Sequence, residues 1–172
     1  MLVRKVNDKF VTLQDTKSIN DTCIYQGEII EDTNTDNLTV YLPHGYGKRF
    51  EFSKNHYYKY CGDFKNGKRD GIGTEIKKKL MNGTNIVSGI GDTEYVGEFK
   101  KDKKHGKGVL KVKKKINGQS IYDKKWIYEG EFFNDLKHGK GVEYFEGSEK
   151  KHELNYNMGF TNSMKPYSFS NK

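Results

Sequence analysis

One pattern, written three times at one internal spacing, limits what this chain can fold into more than any other feature. Tyr60-Cys-Gly62-Asp-Phe64 precedes Asp70-Gly71-Ile-Gly73; Tyr95-Val-Gly97-Glu-Phe99 precedes His105-Gly106-Lys-Gly108; Tyr128-Glu-Gly130-Glu-Phe132 precedes His138-Gly139-Lys-Gly141. In each copy the step from the tyrosine to the His or Asp is ten residues. A looser copy starts at Tyr25-Gln-Gly27-Glu-Ile29 and resumes at His44-Gly45-Tyr-Gly47 after nine extra residues. The tyrosine-to-tyrosine steps are 35, 35 and 33. Self-similarity at such a period marks an array whose units bury a continuous core only by stacking on one another.

The unit reads as a β-hairpin. Tyr-x-Gly-x-Phe alternates, so Tyr, Gly and Phe share one face of a strand and the acidic residues take the other. Glycine leaves a slot that a neighbouring ring can cover. Asn66-Gly67 is a tight-turn signal, and Gly71 and Gly73 permit a bulge before the second strand. Asn82-Gly83 and Asn117-Gly118 read as further hairpin turns, extending Gly73–Leu80 against Ile86–Phe99 and Gly108–Lys115 against Ile121–Phe132. Ile72, Thr74 and Ile76 share a face, Leu110 and Val112 have the opposite phase, and the faces of these strands stay open.

Tyr-x-Gly-x-Phe followed by His-Gly-x-Gly resembles the membrane occupation and recognition nexus (MORN) repeat, over residues 24–146. The departures are a loop glycine kept only as Gly67, with Asp102 and Asp135 in its place elsewhere, Asp70 for one His, and units longer than the family's usual one. The fold expected is all-β: an elongated meander of stacked antiparallel β-hairpins, a single twisted sheet curved into a trough. The resemblance implies a non-enzymatic scaffold that binds helical segments, self-associates and works at membrane-linked cytoskeleton.

Composition sets the outer limits. Only 33% of the 172 residues are hydrophobic, which alone would suggest disorder, but 13% aromatics and 19 glycines, many of them in phase, argue for a thin array. The organisation expected is a lead-in hairpin over 1–23, the array over 24–146, a closing strand over 147–160 and a loosely ordered tail over 161–172, with Tyr156-Asn-Met-Gly159-Phe160 as a faint echo of the repeat. No apolar run reaches the roughly 18 residues of a membrane span, no signal peptide is visible, and Cys23 and Cys61 fall on opposite faces, so the chain reads as a cytoplasmic protein with reduced thiols, membrane-peripheral or cytoskeleton-associated.

No catalytic constellation, metal-ligand spacing or cofactor motif is present in the sequence. His44, His105 and His138 recur in one slot, which assigns them to turn geometry. The expected partner-binding row is Tyr25, Tyr60, Phe64, Tyr95, Phe99, Trp126, Tyr128 and Phe132, facing another protein; the alternative role of the in-phase rings is to hold hairpins together. Trp126 occupies the slot of Cys23, Tyr58 and Thr93 and is not required by the repeat, so it is the sharper contact. The net charge of +8 concentrates in lysine runs. Lys77, Lys78, Lys79, Lys111, Lys113, Lys114 and Lys115 form a candidate ridge for anionic phospholipids, or a solvated edge-protecting face. Nucleic acid is disfavoured, because the aromatics sit in the repeats and the lysines cluster away from them.

Overall fold

The computed structural model describes residues 2–7, 10–18, 21–53, 56–79, 92–113, 115–116, 119–120 and 125–161. These residues are all strand and turn. β1 (Leu2–Asn7) and β2 (Phe10–Ser18) lead into four hairpins. They are β3 (Asp21–Thr33) with β4 (Thr39–Phe52), β5 (His56–Lys65) with β6 (Lys68–Lys79), and β7 (Thr93–Lys100) with β8 (Lys103–Val112). After the short β9 (Lys115–Ile116) and β10 (Gln119–Ser120) comes the fourth, β11 (Trp126–Phe133) with β12 (Leu136–Phe145). β13 (His152–Asn157) and β14 (Phe160–Thr161) end the described chain. All but β9 and β10 form one antiparallel sheet in chain order, β8 pairing β11 directly. The fold is the expected hairpin meander.

Register explains the repeat. Glycines face glycines across the sheet in an unbroken row: Gly27, Gly47, Gly62, Gly73, Gly97, Gly108, Gly130 and Gly141. The row is a furrow, and tyrosine rings fill it. A Cβ on Gly97 would meet Gly108 Cα and Tyr95 Oη, each at 2.6 Å. Each tyrosine lies over its own Gly and donates its hydroxyl to the carbonyl of the acidic residue three positions on: Tyr25 to Glu28 at 2.6 Å, Tyr60 to Asp63 at 3.0 Å, Tyr95 to Glu98 at 3.0 Å, Tyr128 to Glu131 at 2.9 Å.

The acidic residue has a second task. In each hairpin the ladder slips just after the Gly–Gly pair, so that His105-Gly106-Lys107, for instance, faces Glu98 alone. Glu98 Oε1 accepts the Lys107 amide at 2.8 Å, and Asp63 Oδ2 accepts that of Ile72 at 2.9 Å. Gly106 has φ 57 with the Glu98 carboxylate packed where a Cβ would stand, which accounts for the first glycine of Gly-x-Gly.

The core is a single file of rings. Phe64 sits edge-on between Tyr25 and Tyr60, Phe99 between Tyr60 and Tyr95, and Phe132 between Tyr95 and Tyr128, at centroid distances of 5.0–5.2 Å. Tyr156 ends the file against Tyr128 at 5.4 Å. Edge-to-face contact adds roughly 0.5–1.5 kcal/mol per pair beyond area burial, so stability is assembled between neighbouring hairpins.

Turns fasten each hairpin to the one before. Asn66-Gly67, Lys101-Asp102, Asn134-Asp135 and Met158-Gly159 all have positive φ at both positions, the two-residue geometry that suits twisted strands. Their second amides donate to Pro43, Arg69, Lys104 and Lys137 carbonyls at 2.8–3.0 Å. Asp102 and Asp135 replace the loop glycine with a gain: their Oδ1 atoms accept the Arg69 and Lys104 amides at 2.9 Å.

One sequence expectation is corrected, and the strand faces that the sequence left open are set. Tyr156 does not take the repeat tyrosine's place; it pairs Gly139 as Phe132 pairs Gly106, so His152-Glu-Leu154-Asn-Tyr156 is a degenerate Tyr-x-Gly-x-Phe. Gly73 and Gly108 both pair Gly97, so Glu75 and Leu110 share the tyrosine face, and Ile72 and Thr74 lie on the other. Among the described residues the β8–β11 ladder runs from Gly106–Phe132 to Val112–Trp126, and β9 pairs β10 with Ile116 opposite Gln119, on either side of the position where the sequence places a hairpin turn. The Asn82-Gly83 and Asn117-Gly118 turns, the tail 162–172 and Lys114 lie outside the described residues.

Candidate functional site

Because opposed residues share a face, register defines the surface around the ring file. One row runs Cys23, Glu51, Tyr58, Lys77, Thr93, Val112, Trp126, Phe145. The next runs Tyr25, Arg49, Tyr60, Glu75, Tyr95, Leu110, Tyr128, Glu143. Beyond the glycine furrow, Ile29 pairs Pro43, Phe64 pairs Arg69, Phe99 pairs Lys104 and Phe132 pairs Lys137. Cys61 faces the other way, with Lys48 and Thr74, and both cysteines are free.

The predicted partner-binding residues divide into two groups. Tyr25, Tyr60, Phe64, Tyr95, Phe99, Tyr128 and Phe132 are at most 3% exposed and form the spine itself. Trp126 is half-buried, beside the spine, as are Tyr41, Tyr58, Leu110, Leu154 and Ile29. Sequence reasoning missed Tyr41, Leu110 and Leu154, since only register brings them to this face. Burial raises the spine hydroxyl pKa values, that of Tyr128 to about 12, so the rings stay neutral at ordinary pH.

Between the rings lie cations. Arg69 stands over Phe99 at 4.8 Å, Tyr60 at 5.6 Å and Tyr58 at 5.9 Å. It is bound to Glu75, to the Tyr58 hydroxyl at 2.9 Å, and to Asp102 through both its carboxylate and its carbonyl. Glu75 is 2% exposed. Its Oε1 lies 2.8 Å from Lys104 Nζ and 3.2 Å from Lys77 Nζ, two further ion pairs. Burial alone would raise the Glu75 pKa, yet Lys104, Lys77 and Arg69 hold it below the usual carboxylate range. In the last hairpin Lys137 occupies the Arg69 slot, 4.0 Å from the Trp126 ring centre, 4.7 Å from Tyr128 and 5.0 Å from Tyr156. Lys137 donates to Glu143 Oε1 at 2.6 Å, and burial lowers its pKa despite that carboxylate.

The lysines of the candidate ridge do not share one face. Lys77 is on the tyrosine face against Tyr58 and Glu75; Lys111 pairs Glu94 on the other, and Lys78 lies over Tyr57 at 6.0 Å. Lys113 follows β8, and for Lys79 and Lys115 only strand positions are described. The recurrent histidine slot serves the turns: His44 Nδ1 accepts the Asn66 amide at 3.4 Å, Asp70 that of Lys101 at 3.1 Å, and the His105 and His138 rings flank Phe133. No cluster of metal-ligating side chains occurs among the described residues.

The model of the MORN repeat family matches residues 60–79, 95–111 and 128–148, the three hairpins with the full pattern. The chain carries three MORN repeats. Its first hairpin, outside the matched segments, keeps the MORN glycine pair, the ladder slip and the tyrosine over the furrow. MORN repeats are interaction modules for proteins or membranes. Comparison with the curated proteins gives no match. No described helix is long and apolar enough to cross a membrane.

Proposed function

We propose that this MORN array is a non-enzymatic scaffold whose tyrosine face receives a segment of another protein. The observation that carries the reading is architectural. A sheet with an apolar face ordinarily buries it beneath a second layer, and among the described residues no strand or helix lies across this one. The spine rings fix the surface, and Trp126, Tyr58, Tyr41, Leu110 and Leu154 supply the contacts. An amphipathic helix suits a face that alternates apolar side chains with paired charges.

Photo-crosslinking tests this. A photoreactive residue at Thr93, on the tyrosine face, should trap a partner that survives high salt, whereas one at Val96, on the opposite face, should not. Trapping only from Val96, or loss of the partner at high salt, would overturn the assignment. The net charge of +8 favours a second reading, attraction to anionic membrane through the lysine runs. Lys113→Glu with Lys114→Glu should then abolish pelleting with anionic liposomes; unchanged pelleting refutes it.

A further inference from the structure

The Trp126 site has the construction of an ammonium receptor, and its occupant is tied by a single carboxylate. Three aromatic faces, from Trp126, Tyr128 and Tyr156, lie 4.0–5.0 Å from one ammonium, and Glu143 closes the site at 2.6 Å. Trp126 is the chain's one tryptophan, in a slot that the other hairpins fill with Cys23, Tyr58 and Thr93, so the repeat does not demand it. The Arg69 site, built on the same slots, differs in its fastening: the guanidinium has Glu75, Tyr58 and two groups of Asp102 as hydrogen-bond partners. Lys137 has Glu143, and its side chain is 21% exposed on a flexible stem.

We propose that the box of Trp126, Tyr128, Tyr156 and Glu143 is a binding site for a trimethylammonium group, which enters as Lys137 swings out to solvent. The competition favours the alkylated cation for a physical reason. Lys137 gives up the hydration of a primary ammonium on entering the box, whereas a quaternary ammonium is weakly hydrated, presents methyl groups to three ring faces and keeps its charge beside Glu143. Lysine released to water recovers its hydration. The site stands whether or not a protein segment occupies the rest of the face, since it needs only four side chains of the last hairpin and β13. A trimethyllysine side chain and a choline headgroup share this chemistry.

Titration of the full chain with tetramethylammonium, followed by tryptophan fluorescence, reads the site alone. A saturable change is expected, absent with ammonium chloride at equal ionic strength and absent in Glu143→Gln. Removing the internal competitor in Lys137→Gln, which keeps the inner part of the stem and loses the charge, should tighten binding by about tenfold. Circular dichroism confirms that each variant is folded, and Lys137→Met replaces Lys137→Gln if it is not. Trimethyllysine methyl ester and phosphocholine, titrated separately, then distinguish a modified peptide from a lipid headgroup: the tighter probe names the source. No saturable change in the native chain overturns the proposal, and so does binding confined to the Lys137 variants, which would make the lysine a permanent filling.

Discussion

The second and fourth hairpins place a cation, an acid, an outer aromatic and two spine rings in the same slots, and they hold the cation differently. In the second, Arg69 joins Glu75, Tyr58 and the Asp102 turn of the following hairpin, so the charge also stitches two units together. In the fourth, Lys137 meets Glu143 and three rings, and the tie to the following turn is its carbonyl accepting the Gly159 amide. The third hairpin lacks the set, with Thr93 and Leu110 in the outer-aromatic and acid slots, and its Lys104 leans back to Glu75. The repeat therefore fixes the spine, and the slots around it are free to become a structural lock, an apolar patch or a site.

Substitutions that strike the shared spine should cost the same in both hairpins. Gly73→Ala and Gly141→Ala each place a methyl against the Tyr60 or Tyr128 ring, within 2.6 Å of its nearest atoms. Each should lower stability by about 2–3 kcal/mol in urea unfolding, the cost of forcing a tightly packed ring out of its place. A large inequality between the two would break the claim that the spine is uniform. The acids should then separate the hairpins. Glu75→Gln leaves Arg69, Lys104 and Lys77 facing one another around a buried neutral amide and should cost about 3 kcal/mol; Glu143→Gln, whose site is partly open to water, should cost about 1 kcal/mol.

Acid titration sharpens the same contrast. Glu75 has a folded-state pKa held below its unfolded value of about 4.3. The stabilisation is thus complete above that pH and is lost as pH falls through the lower folded value. The urea midpoint of the native chain should drop across that acidic range more steeply than that of Glu75→Gln. Parallel curves would show that the Glu75 cluster is not the linked group.

Much of this was legible in the sequence, for reasons that can be assigned. Tyr-x-Gly-x-Phe and His-Gly-x-Gly encode ring, furrow and bulge within one hairpin, where spacing is geometry. The relation of Glu75 to Leu110 was not, because it depends on Gly73 and Gly108 pairing the same Gly97, a cross-strand register that no local period carries. Tyr156 was misplaced for a related reason: its strand keeps the alternation but has His152 and Leu154 in place of Tyr and Gly, so only its pairing with Gly139 shows which slot it fills. Trp126 could be marked as surplus to the repeat, but its partner Lys137, eleven positions away, emerges only when the hairpin closes.

The cation positions discriminate best between the two hairpins, and the turn gives the smallest effect. Arg69→Met should cost about 3 kcal/mol by leaving Glu75 and Asp102 underpaired, against about 1 kcal/mol or less for Lys137→Met, whose stem can still cover the rings. Equal losses would mean that Lys137 is as structural as Arg69 and would remove the distinction between lock and site. Last comes Lys101, which holds φ 49 where Asn66 and Asn134 stand in the neighbouring hairpins. A non-glycine residue in this left-handed region is strained by about 1 kcal/mol, and its amide bond to Asp70 uses the backbone alone. Lys101→Gly should therefore raise stability by about 0.5 kcal/mol, the relief being partly offset by glycine's greater freedom in the unfolded chain. A loss instead of a gain would show that the Lys101 side chain contributes at the turn edge, where the basic third hairpin gives way to the exposed Phe133 and Leu136 of the fourth.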